Sequence, residues 1–136
     1  MKGTVLIFIC CIFFLESCDK EKRQGVNCTA NFASIEVIIK NGLNIPVALD
    51  SFKVVRSIDS KNVTVEFTTR DFEIMHKLGS YPITNDGYKA QLSNKNMEVV
   101  FMGSKGGKTI VNEKYTIGAD QCHVRLIAGN REVIVE

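Results

Sequence analysis

The chain of 136 residues contains no tryptophan and two histidines, and its formal net charge is only +2. Each scarcity excludes something. A charge this small, with no clustered basic stripe and no interleaved aromatics, argues against a nucleic-acid surface. His76 and His123 are the only histidines, and no Cys-x-x-Cys or His-x-x-x-His spacing exists to bring together the three or four ligands of a metal centre. Long apolar runs are also missing. The unbroken stretch Val5–Leu15 covers eleven residues, whereas a helix needs about 20 to cross the hydrocarbon layer. There is no internal repeat and no low-complexity tract.

That short apolar run is nevertheless the most telling segment present. Lys2 supplies a minimal positive n-region, and eleven apolar residues suit the h-region of a cleavable signal. The run closes in Leu15-Glu16-Ser17-Cys18. This ending resembles the lipobox of bacterial lipoproteins: a branched apolar residue at −3, a small residue at −1, then the cysteine to be acylated. The resemblance implies a signal peptide over 1–17, lipidation at Cys18 and a membrane partner held through that lipid. The run Asp19-Lys20-Glu21-Lys22-Arg23 follows. It reads as a solvated tether, and it also resembles the surface-export signal of Bacteroidota-type lipoproteins.

Removal of residues 1–17 from the 136 leaves 119, which suits one domain. Residues 18–27 are then the lipidated cysteine and tether, and 28–136 the folded region. Cys10 and Cys11 depart with the signal and Cys18 carries the lipid, so Cys28 and Cys122 remain. Two cysteines left in an exported chain are most economically a disulfide. The sequons at Asn27 and Asn62 carry no weight in that setting.

Hydrophobic spacing indicates a β-domain. Ala33, Ile35, Val37 and Ile39 alternate with polar residues, as do Val63, Val65 and Phe67, the cleanest period-two signal in the chain. Further strands are expected over Val47–Arg56, Met97–Met102 and Thr109–Ile117. A last hairpin is expected from Cys122–Ala128 and Glu132–Val135 across Gly129-Asn130-Arg131. One helix is expected near Thr69–Leu78, capped by Thr68 with Asp71 and stopped by Gly79. Asn85-Asp86-Gly87 signals a tight turn. Seven or eight strands with one short helix describe an all-β, antiparallel β-sandwich.

The stretches Pro46–Phe52, Gly79–Ile83 and Ile117–Val124 resemble small Bacteroidota-type lipoproteins. By general pattern they are also similar to carboxypeptidase-regulatory or transthyretin-like sandwiches of Ig-like architecture. The first resemblance implies an outer-membrane lipoprotein, displayed at the surface or facing the periplasm. The second concerns fold alone.

Candidate chemistry is sparse. Cys122-His123 invites a thiol beside its base, but neighbouring side chains on a strand point to opposite faces. Cys122 is in phase with Val124 and Leu126, while His123 should turn outward with Arg125. Asp120, Cys122 and His123 cluster locally without the ligand number of a zinc site. Gly106-Gly107-Lys108-Thr109 lacks the first glycine of a phosphate loop, since position 102 is methionine, and a β-type run follows it. Tyr81 and Tyr88, with Tyr115, are candidates for a stacking platform, and His123 and Arg125 for polar contacts. Edge strands offer β-augmentation. The sequence therefore reads as a non-enzymatic envelope lipoprotein without a cofactor, a binding or assembly module for an envelope protein, peptide or glycan. A structural accessory subunit of an uptake or adhesion complex is the alternative, and a small Cys122/His123 hydrolase or redox protein the alternative from another class.

Overall fold

The computed structural model describes residues 25–136; Cys18 and the expected signal lie outside them. The described residues form seven strands and two helices. In chain order these are β1 (Ser34–Asn41), β2 (Ser51–Arg56), α1 (Thr69–Leu78), β3 (Ser80–Asn85), α2 (Lys89–Leu92), β4 (Met97–Lys105), β5 (Lys108–Ala119), β6 (Val124–Ala128) and β7 (Glu132–Val135). The strands make two sheets, one ordered β3-β1-β7 and the other β2-β4-β5-β6. A β-sandwich is therefore what the alternating pattern specifies.

Strand β1 shows why. Ile35, Val37 and Ile39 are buried, while Ser34, Glu36 and Ile38 face outward. Burying each aliphatic side chain contributes roughly 1.5–3 kcal/mol, and a slip of one residue would turn all three to solvent. Leu49, Val54, Tyr81, Ile83, Val99, Phe101, Tyr115 and Ile117 belong to the same core, with Val47, Leu92, Val111, Val124 and Val135. Phe52 joins its parts, with ring centroids 5.1 Å from Phe67, 5.4 Å from Tyr81 and 5.6 Å from Phe101.

Helix α1 occupies the expected residues for the expected reason. The Thr68 hydroxyl accepts the Asp71 N–H at 3.2 Å and the Asp71 carboxylate accepts the Thr68 N–H at 2.8 Å, a reciprocal capping box. Gly79 ends the helix with φ +61°, and a Cβ there would lie 2.6 Å from the Ile39 carbonyl oxygen. Phe72 packs on Phe67 at 5.5 Å and His76 on Phe72 at 4.3 Å. The Nε2 of His76 is buried without a partner among the described residues.

Three features depart from the sequence expectation. Val63–Phe67 is not a strand. It pairs with β2 only briefly, where the Val63 N–H meets the Val54 carbonyl and the Thr64 hydroxyl accepts the Val54 N–H. It then leads away from β2 toward α1 with Val65 buried but Phe67 40% exposed, so the alternation in its sequence is not matched by alternation in burial. Second, β6 and β7 do not pair as a hairpin. Strand β6 joins β5, whereas β7 lies parallel to β1, with Ile38 opposite Glu132 and Asn41 opposite Val135. The sandwich is antiparallel except at this pair. The crossover between β6 and β7 is fixed by Tyr115, whose hydroxyl donates to the Asn130 carbonyl at 2.9 Å. Gly129 (φ +124°) passes so close that a Cβ would sit 2.3 Å from the Tyr115 ring. Third, Asn85-Asp86-Gly87 does not close a hairpin. The Asn85 side chain accepts the Gly87 N–H at 3.0 Å and opens a 3₁₀ turn, Asp86–Tyr88, that leads into the unanticipated α2.

Candidate functional site

The residues singled out by sequence fall into two groups. Tyr81 is buried in the core, so it is no stacking platform. Its hydroxyl accepts the Leu49 N–H at 2.7 Å and donates to the Val47 carbonyl at 3.1 Å, tying the chain at the point where it passes between the sheets. Tyr115 is committed to the β6–β7 crossover. Tyr88 is half-buried, and its hydroxyl accepts the Glu66 N–H at 3.3 Å. The three rings do not share a surface, because each hydroxyl fastens a different connection.

Cys28, Cys122, His123 and Arg125, by contrast, gather where the chain enters the domain. A disulfide joins Cys28 to Cys122, with Cα atoms 5.2 Å apart. His123 does not turn outward with Arg125 as expected. It precedes β6, and its ring folds back so that Nδ1 lies 2.7 Å from Asp86 Oδ2 and Nε2 2.9 Å from the Thr29 hydroxyl. The carboxylate beside it favours a proton on Nδ1, and in that tautomer Nε2 accepts the Thr29 hydroxyl proton. Arg125 is exposed and lies 3.6 Å from Asp120.

Asp86 is the hub, and sequence reasoning saw it only as a turn residue. Its Oδ2 also accepts the Ala33 N–H at 2.8 Å and its Oδ1 the Val124 N–H at 2.8 Å. The starts of β1 and β6 thus converge on one carboxylate. Burial alone would raise its pKa, but the Ala33 N–H, the His123 ring and the Val124 N–H together hold the carboxyl down at about 2. Asp120 acts alike on a smaller scale. Its Oδ1 accepts the Cys122 and His123 N–H groups, each at 2.8 Å, which keeps its carboxyl below the ordinary range. Lys89, from α2, donates to the carbonyls of Gln121 and Cys122 at 3.1 and 3.2 Å.

Asp86, His123 and Thr29 form a carboxylate–imidazole–hydroxyl chain in the order of a hydrolytic triad. Each of the three also makes a structural contact. The carboxylate already holds two strand starts, and the hydroxyl belongs to the entering segment that the ring pins. Cys122 is bonded to Cys28 and has no thiolate to offer, and the ring beside it faces Asp86 instead. Among the described residues no group of three or more such side chains converges in metal-holding geometry, and no helix is long and apolar enough to cross a membrane.

A second feature escaped the sequence altogether. A groove of about 320 Å³ runs between α1 and the outer face of β1 and β3. Its floor carries Ser34, Glu36, Ser80 and Pro82, and its wall carries Phe67, Ile74 and Leu78. The helical period predicted α1, but only the tertiary placement of α1 against β3 makes a groove of it. No protein-family model, curated protein or solved structure matches this chain.

Proposed function

We propose that the chain is an exported, lipid-anchored, non-enzymatic module of the cell envelope that acts by binding another envelope component. The observation that carries this reading is the apolar run Val5–Leu15 ending at Leu15-Glu16-Ser17-Cys18. The entry to the domain supports it. Ten residue steps separate Cys18 from Cys28, a reach of at most about 36 Å, and at Cys28 the chain is bonded to Cys122 and tied again through Thr29 and Ala33. An anchored chain would thus hold one pole of the sandwich near the lipid, with its flanks open to partners. Several acyl chains, unlike one, hold a protein firmly. The polar cluster at this pole serves cohesion, which favours binding over catalysis.

Metabolic labelling with a fatty-acid analogue in a bacterial host tests the proposal. The wild type should be labelled and Cys18→Ala should not. Equal labelling of both, or of neither, would overturn the anchored reading.

A further inference from the structure

We infer that the groove beside α1 docks an extended, apolar segment of a partner protein that carries lysine or arginine. This deepens the proposed binding role and rests on it. Three carboxylates line the groove, those of Glu36, Glu66 and Asp71, and no lysine or arginine is among its lining residues. The whole chain carries +2, so this local negative charge runs against the balance of the molecule. A surface of that kind selects cationic groups by complementarity and steers their approach.

The three carboxylates are not equivalent. Asp71 is taken up by the capping box and stands beside the Arg70 charge, so it lends little acceptor capacity and only part of its charge. Glu36 accepts the Ser80 hydroxyl and keeps its other oxygen. The Glu66 carboxylate has no hydrogen-bond or ion-pair partner among the described residues, although its backbone N–H is fixed by Tyr88. Two acceptor sites thus stand on a positioned backbone, facing a groove rather than the flat surface.

The wall formed by α1 and the segment before it is apolar and partly uncovered. Phe67 is 40% exposed, Ile74 47% and Leu78 59%. Lysine and arginine side chains match such a cross-section, because their methylene stems lie along apolar surface while the charged head reaches an acceptor. Apolar side chains on either side of them would cover the Ile74 and Leu78 wall. The floor runs along β3 from Ser80 to Asn85, roughly 17 Å at the rise of a strand, the length of a five- or six-residue extended segment. Dimensions, charge and apolarity agree on one occupant.

The test uses the full chain in nanodiscs of neutral phosphatidylcholine, with empty discs as the blank. The probe is a fluorescein-labelled hexapeptide of alternating lysine and valine, read by fluorescence polarisation. Saturable binding below about 1 mM is expected, weakened at least tenfold in Glu36→Gln/Glu66→Gln and by added salt. Glu98→Gln/Glu113→Gln, which removes two carboxylates from β4 and β5, should bind as the wild type does. Peptides with glutamate for lysine, or serine for valine, should bind at least tenfold more weakly. No saturation up to 1 mM, equal binding by either control peptide, or unchanged binding in the Glu36→Gln/Glu66→Gln variant overturns the inference. Such failure leaves the anchor at Cys18 standing. A failed Cys18 labelling experiment with intact peptide binding would remove the membrane and keep the groove.

Discussion

At the scale of single residues, the Asp86 carboxylate does more than any other side chain described. It accepts from the starts of two strands and orients the ring that holds Thr29. Hydrogen bonds to a charged group are worth about 1.5–3 kcal/mol each when their loss leaves buried donors unpaired. Asp86→Asn should therefore cost about 2 kcal/mol near neutral pH. The dependence on acid follows from the carboxyl being held at about 2, below its ordinary value of 3.8. A depressed pKa gives stability that is fully present above about pH 4 and is lost as pH falls through about 2. Thermal melts of the wild type and the variant should hence differ most above pH 4 and converge toward pH 2. A constant difference across that range would mean that the charge of Asp86 is not what stabilises the entry to the domain.

At the scale of elements, the sequence was most legible where local chemistry decides structure. Thr68 and Asp71 specify the start of α1 and Gly79 its end, and the alternation of Ile35, Val37 and Ile39 specifies β1. It was least legible where a long-range partner decides. Val63–Phe67 has the alternation of a strand, yet the Thr64 hydroxyl takes the place of a backbone partner and the segment leaves β2. Glu132–Val135 was placed correctly as a strand, but nothing local shows that it pairs in parallel with a segment about ninety residues earlier. The Cys28–Cys122 bond was legible by elimination among five cysteines. The roles of Asp86 and Thr29 were not, because they depend on which loops meet. The β6–β7 crossover offers a direct check. Gly129→Ala would press a methyl group onto the Tyr115 ring at a backbone angle that alanine avoids. A loss of about 2 kcal/mol or more is expected, measured by chemical denaturation, whereas Ala128→Ser, at an exposed position, should be within about 0.5 kcal/mol of wild type.

At the scale of the whole molecule, the disulfide and the Asp86 cluster both fix where the chain enters the domain. The bond closes a loop with a sequence separation of 94. In the chain-entropy picture that constraint is worth roughly 4–5 kcal/mol, a large share of a net stability of about 5–15 kcal/mol. Cys28→Ser/Cys122→Ser should lower the melting temperature by about 10 °C or more. Its effect should not simply add to that of Asp86→Asn, since both act on the same entering segment. The most direct test of the anchored, disulfide-tied account is the intact mass of the protein extracted from producing-cell membranes and alkylated without reductant. The account predicts a chain that begins at Cys18, carries acyl mass and shows no alkylated cysteine. A mass corresponding to unprocessed residues 1–136, with alkylated thiols and no acyl group, would contradict it.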